Sequence, residues 1–445
     1  MKIILRLSYV LLPIVLLLQA CKKSDNPTNP EPPKIPGCAT NLLPAANGVV
    51  GTGSTITLTW GAASGANSYD VYLGTTPTPT TLIGSNVTNN TMLYTVPATK
   101  DVTYYWYVVP KNANGSATGC TSNITSFTSA VIQAPPALGF LVVGYFPSYR
   151  NIADVPDIKF RMCNVVNYAF FSVNSSGLLT ENNAALVPLV ITKAKTNGAK
   201  VMLSINEAAA GNFRNMASSA TGRTSFAKDI MNRVRQYGFD GVDIDWEYPT
   251  TADGSDITYT ALMKELSDSL HRDSKYYLTA AITPGKYAGG IRDAIKSEVF
   301  AYADWFNIMA YDDFSTSTLY KHHSDFTLAS TSLNYWINTR GMPREKAVLG
   351  FPAYGRPSGL TQTGTVLTYK DILAKGGSSQ SDSAIVSNGA YTNYMIYYNG
   401  QPTVKKKAML AKQQGNGIMM WEKWQDAMDN NSLLKAACDT LGRPY

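Results

Sequence analysis

From Gly139 onward, short apolar runs alternate with longer stretches whose apolar residues recur at helical spacing. The runs fall at 140–146, 165–171, 200–205, 241–247, 277–282, 305–311, 347–354 and 417–421. Interleaving with helical patterns marks strands of a parallel sheet covered on both faces. Helix-like spans lie between most of them, among them 184–196, 225–237, 259–271 and 328–339. Eight strands alternating with helices over residues 139–445 predict an α/β fold, a closed (β/α)8 TIM barrel.

The preceding segment, 38–130, has a different period. Residues 56–60, 69–73 and 102–109 alternate with period two, and Gly, Asn and Pro clusters separate them. A small all-β sandwich follows, and it resembles a fibronectin type III domain. A sugar-binding module using Trp60 or Trp106 as a platform is the alternative; core packing of both is favoured, because each lies in a strand that needs a buried face. Gln133-Ala134-Pro135-Pro136 places a linker at 131–138. Residues 21–37 are rich in proline and read as an extended spacer. Residues 1–20 carry Lys2 and Arg6, then an apolar run at 11–18, as a targeting leader does. The leader ends Leu18-Gln19-Ala20-Cys21, which resembles a bacterial lipoprotein processing site. That resemblance implies a lipid on Cys21 and, with Lys22 next, a place in the outer membrane.

Composition narrows the function. A chain of 445 residues, 44% hydrophobic and 16% charged, is long enough for two or three packed domains. Its net charge of +7 is spread out, so nucleic acid is not an expected partner. The one basic run, Lys405-Lys406-Lys407, reads as a solvated helix face. With only His271, His322 and His323 available, no metal site and no cofactor are expected. Cys38 and Cys120 bracket the all-β segment and are placed to form a disulfide, which would contribute roughly 4–5 kcal/mol in a chain-entropy estimate. Cys163 reads as a buried free thiol; the state of Cys438 is left open.

The chemistry concentrates in Asp240-Gly241-Val242-Asp243-Ile244-Asp245-Trp246-Glu247. Side chains two apart on a strand share a face, so Asp243, Asp245 and Glu247 line one wall. Carboxylates this close raise one another's pKa, and at least one retains a proton at neutral pH. A protonated acid beside ionised ones suits glycoside cleavage. Alternating acids on a solvated sheet face are the competing reading, which a doubly covered parallel sheet disfavours. Asp240, three residues before Asp243, falls on the opposite face and reads as structural.

The stretch 239–249, FDGVDIDWEYP, resembles the D-x-x-D-x-D-x-E signature of the family 18 glycoside hydrolases, the chitinase family. The resemblance extends across 139–445. Strand six ends Met309-Ala310-Tyr311-Asp312, like the family's M-x-Y-D. Strand seven runs Gly350-Phe351-Pro352-Ala353-Tyr354-Gly355-Arg356, like G-x-P-x-Y-G-R, and strand eight ends Gly417-Ile418-Met419-Met420-Trp421, like G-x-M-x-W. Strand one carries Tyr145, and strand two ends near Phe170.

The resemblance implies substrate-assisted, retaining hydrolysis. Glu247 would protonate the leaving oxygen, Asp245 would orient the substrate's acetamido group, Asp243 would share a proton with Asp245, and Tyr311 would hold the acetamido oxygen. Trp421 would be the sugar-stacking floor, with Asp312, Met309, Tyr354, Tyr145 and Phe170 around it. The implied enzyme is an endo-acting chitinase working on chitin or another N-acetylglucosamine glycan, as a monomer. An endoglycosidase of N-glycans, or a non-catalytic chitin-binding barrel, are the alternatives.

Two departures stand out. Strand three reads Ser204-Ile205-Asn206-Glu207 where the family has S-x-G-G, so Asn206 and Glu207 either fill space near the acids or shift the loop. About sixty residues separate Arg356 from strand eight, which allows only a small insertion and a shallow cleft.

Overall fold

The structure is a computed structural model and describes residues 34–46, 48–272, 274–314, 321–358 and 365–445. The leader, Cys21 and most of the proline-rich spacer lie outside the described residues.

The barrel is built from β1 (Leu141–Pro147), β2 (Val165–Val173), β3 (Lys200–Glu207), β4 (Gly241–Ile244), β5 (Tyr277–Ile282), β6 (Trp305–Ile308), β7 (Ala347–Pro352) and β8 (Gly417–Trp421). All neighbours are parallel, and β8 closes on β1, which pairs back with β2. Nearly every strand residue is buried, because helices cover the outside and side chains fill the inside. Val142, Phe146, Val166, Val242 and Ile244 face the helices. Leu141, Val143, Met202, Tyr277, Trp305, Val348 and Met419 fill the interior. Gly241 is needed for the strands to approach: a Cβ there would lie 2.4 Å from the Tyr277 carbonyl oxygen and 2.5 Å from Met202 Cε.

Several elements differ from their expected bounds. β4 ends at Ile244 and β6 at Ile308, although the Asp245 amide still donates to the Ile205 carbonyl at 2.8 Å. Beyond both ends the alternation continues: Asp245 and Met309 line the cavity, while Trp246 and Ala310 pack under the helices. The run at 347–354 breaks at Pro352, and Tyr354–Pro357 joins a second sheet. That sheet orders Leu367–Thr368, Tyr354–Pro357, Tyr391–Tyr397 and Ser383–Asn388 antiparallel and forms the small insertion between β7 and β8. The helix expected at 225–237 begins earlier, at Ala220, where the Ser219 side chain accepts from the Gly222 amide. The span 328–339 divides into the helix Phe326–Leu333 and a wider π turn, Asn334–Thr339.

The basic run at 405–407 is not all solvated. Lys405 and Lys406 are exposed, but Lys407 is 1% exposed and donates to the Ser324 carbonyl, Ser324 Oγ and Asn399 Oδ1 at 2.8, 2.8 and 2.6 Å. On the helix Gln401–Gln414 it shares a face with Val404, Ala408 and Ala411, so the helical period turns it inward.

The N-terminal region is all-β. Gly48–Gly51, Thr125–Ala130, Thr103–Asn112, Ser68–Gly74 and Leu82–Val87 form one sheet in that order, and Thr55–Thr59 pairs with Thr91–Thr95. Trp60 and Trp106 are 4% and 0% exposed in its core, so neither serves as a sugar platform. Arg272 pairs with Asp101 at 2.8 Å, and Tyr277, at the start of β5, donates to the Pro136 carbonyl at 2.8 Å. The linker therefore crosses the N-terminal face of the barrel, opposite the strand ends.

A disulfide joins Cys38 to Cys120, closing 82 residues of sequence, and Cys163 and Cys438 are buried and joined in no disulfide. Replacing both Cys38 and Cys120 by alanine is expected to destabilise the all-β region by roughly 4–5 kcal/mol. Chemical unfolding should show a lowered first transition with the barrel transition unmoved; a single unchanged transition contradicts this.

Candidate active site

At the C-terminal ends of the strands lies a cavity of about 350 Å³. Tyr145, Phe170, Asn206, Glu207, Asp245, Glu247, Tyr248, Met309, Tyr311, Asp312 and Trp421 line it, with Ala281 and Pro284. Asp243 and Tyr354 do not; they sit behind the wall and act on residues that do. Asp240 is at the other end of β4, where its carboxylate accepts from the Val201 amide at 2.9 Å and pairs with Lys195 and Lys200.

Asp243 is wholly buried on the barrel axis. Tyr145 and Ser204 donate to its Oδ2 at 2.6 and 2.8 Å, and Thr279 and Asn307 to its Oδ1 at 2.6 and 3.1 Å. Burial pushes the carboxyl up and these four hydrogen bonds pull it back, leaving it raised. Asp245 is buried too, but its Oδ1 has no hydrogen-bond partner. Burial, with the charges of Glu247 and Asp243, drives it well above the ordinary carboxylate range. With donors occupying both oxygens of Asp243, the proton retained by the acids sits best on Asp245. Glu247 lines the cavity and, unlike Asp243 and Asp245, is exposed. Desolvation of its carboxyl raises it, the Tyr248 hydroxyl opposes that, and the charge of Asp312 raises it again.

Tyr311 stands across from the acids. Burial, and then the neighbouring Tyr354 and the charges of Asp245, Asp312 and Glu247, hold its phenol protonated. Asp312 takes the opposite course. Burial alone would raise it, but His323, Arg356 and Tyr354 outweigh burial and set it at about 2. Tyr354 Oη and Arg356 Nε each donate to Asp312 Oδ1 at 2.6 Å. Trp421 is half-buried, stacked on Phe170 at 5.7 Å and met edge-on by Tyr145 at 5.3 Å, which fixes the indole as a wall of the cavity.

The strand-three departure is accommodated in place. β3 continues through Glu207, the Ser172 hydroxyl donates to Asn206 Oδ1 at 2.6 Å, and Glu207 Oε2 accepts from the Phe213 amide at 3.0 Å. Both side chains are held by these bonds and line the cavity together with Asp245 and Glu247. Sequence reasoning missed Tyr248, Thr279, Asn307 and His323. Asn307 and Thr279 had a signal: each is a polar residue inside an apolar strand, at an inward position. His323 had none, since it lies in a connection after β6.

The chain is similar to known proteins across the barrel. The family description "Glycosyl hydrolases family 18" matches residues 141–426. A class V chitinase of Arabidopsis thaliana is 27% identical over 64% of this chain and 85% of its own length. A probable chitinase 10 of Drosophila melanogaster is 26% identical over 66% of this chain, which spans 16% of that protein. Among solved structures, a chitinase from the chitin utilization locus of Flavobacterium johnsoniae is 27% identical, with a TM-score of 0.56 over 68% of this chain and 94% of that one. A Cycas revoluta chitinase solved with (GlcNAc)3 shares the fold at 24% identity and a TM-score of 0.59, covering 68% of this chain and all 100% of that one. With its acids, its Tyr311 and its Trp421 gathered at the strand ends of a closed barrel and its sequence matched across that barrel, the chain belongs to the family 18 glycosyl hydrolases.

Proposed function

We propose that the protein is an endo-acting chitinase that hydrolyses β-1,4-linked N-acetylglucosamine polymers with net retention. The observation that carries this reading is the gradient of the three acids: Asp243 locked by four donors, Asp245 with an unpartnered oxygen, and Glu247 reaching into the cavity.

Glu247, its pKa raised, protonates the glycosidic oxygen as the bond breaks. The acetamido carbonyl oxygen of the substrate attacks the anomeric carbon and forms an oxazolinium ion. Asp245 Oδ1, free of protein partners, accepts from the acetamido N–H, and the Asp243–Asp245 pair, which shares one proton and so keeps one negative charge, balances the positive charge. The protonated Tyr311 hydroxyl donates to the acetamido oxygen and holds it in line. Ionised Glu247 then activates the water that opens the ring. Trp421, braced by Phe170 and Tyr145, carries the sugar face. The (GlcNAc)3 bound to the Cycas revoluta relative supports a substrate of this class. We also take the all-β region to be a fibronectin-like spacer, and Cys21 to carry the lipid that holds the protein, as a monomer, at the bacterial outer membrane.

Product analysis on N-acetylglucosamine oligomers and a high-mannose glycopeptide tests the reading. Internal cleavage to short N-acetylglucosamine oligomers is expected; release of an intact glycan instead makes the protein an endoglycosidase, and binding without products makes it a binding barrel. Glu247→Gln is expected to lower kcat by about a hundred- to ten-thousand-fold with binding retained, because the proton donor is lost and the shape kept. Activity comparable to the unsubstituted protein would remove Glu247 from its role.

The pH profile supplies a second check. The general acid must be protonated, so kcat/KM falls as pH rises through the pKa of Glu247. The Asp312 charge helps raise that pKa. Asp312→Asn is therefore expected to move the alkaline limb to lower pH; a shift to higher pH contradicts the arrangement.

A further inference from the structure

On the outer side of β1, away from the cavity, two lysines and two thiols are buried together. Lys159, Lys423, Cys163 and Cys438 are 2%, 1%, 1% and 0% exposed. Lys159 is fully partnered: it donates to Asp426 Oδ2 at 2.6 Å, to the Ala427 carbonyl at 2.5 Å and to Ser432 Oγ. Lys423 is not. Its Nζ meets the Lys159 carbonyl at 2.6 Å, Cys163 Sγ at 3.3 Å and the Phe160 ring at 4.5 Å. Among the described residues, no carboxylate pairs with it. Burial pushes Lys423 down, the Cys163 sulfur opposes this, and the Lys159 charge adds to it.

An amine buried without a counter-charge costs more than an apolar side chain of the same length. One carbonyl and a weak thiol acceptor do not offset that cost. Yet the chain makes room for the contact: a Cβ on Gly144 would lie 2.7 Å from Lys423 Cδ and 3.0 Å from Cys163 Sγ. A buried amine is thus held against a thiol at a place where β1 has no side chain. Cys438 is engaged elsewhere, its Sγ on the Met162 carbonyl at 3.6 Å.

We propose that Lys423 and Cys163 are joined by a covalent nitrogen–oxygen–sulfur bridge formed with dioxygen. Lys423 Nζ gives up one hydrogen and Cys163 Sγ its own. One oxygen atom is retained between them as N–O–S, and the other leaves as water with both hydrogens. Nitrogen and sulfur each supply two electrons, which together reduce both oxygen atoms of dioxygen. Two equivalents of a dithiol reverse the step, returning amine, thiol and water. The Cys38–Cys120 disulfide agrees with a chain that matures where thiols are oxidised. The bridge would pin the turn Lys423–Gln425, two residues past Trp421, to the segment that follows the helix Asp157–Arg161.

The test is peptide mass spectrometry on the full-length protein purified in air without reductant. It is alkylated under denaturing conditions before or after treatment with dithiothreitol, and then digested. The expected result is a linked peptide pair containing Cys163 and Lys423, heavier than the separate peptides by one oxygen less two hydrogens. After reduction the pair should disappear and Cys163 should become alkylated. Cys163→Ser and Lys423→Met should each abolish the link, and Cys438→Ser should retain it. Full alkylation of Cys163 in the unreduced, unsubstituted protein overturns the proposal. A Cys163–Cys438 link lacking two hydrogens and carrying no oxygen overturns it equally. Both readings come from the unsubstituted protein, so they hold even if a variant fails to fold.

Discussion

One buried charge organises the catalytic end of this protein. The Asp243 carboxylate lies at the barrel axis, out of reach of water, where an isolated anion would cost several kcal/mol. It is satisfied by donors from four other strands: Tyr145 of β1, Ser204 of β3, Thr279 of β5 and Asn307 of β6. Because each donor is fixed by its own strand, the carboxylate acts as a cross-barrel tie. It also fixes how Tyr145 is presented to Trp421, so the acids and the aromatic floor are set by one network.

The acids beyond it draw their character from what that tie leaves over. Asp245 is also buried but receives no donor on Oδ1, and it faces charge on both sides. Its preference for a proton is the complement of the saturation of Asp243. Asp312, only a short way across the cavity, is pulled the other way by Arg356, His323 and Tyr354. The same residue type is thus driven in opposite directions within one cavity by desolvation in one case and by cationic and hydrogen-bonding partners in the other.

Much of this was legible in the chain. Apolar runs separated by helical spans require covered parallel strands, and the eight runs place their C-terminal ends together whatever the details. Asp243, Asp245 and Glu247 were readable because a two-residue spacing leaves them little choice of face. Trp60 and Trp106 were readable as core for the same reason. The third lysine of the run at 405–407 was not, since a charge run suggests solvent while the helical period turned Lys407 inward. The fates of Asn206 and Glu207 were not readable either: whether they blocked the acids depended on Ser172 and the Phe213 amide, remote in sequence.

What the sequence determined by itself was periodicity and chemistry: the alternation that builds a barrel, the acids on one face of β4, and the aromatic residue at the end of β8. These are short-range properties, set by the geometry of a strand or a helix. What only the tertiary structure decided was which carboxylate is saturated and which is left hungry, that Arg356 and His323 converge on Asp312, and that Lys423 rests on Cys163. Those outcomes depend on distances between residues far apart in the chain, and on which of them exclude water together. Desolvation and pairing act through space, so no spacing along the sequence encodes them.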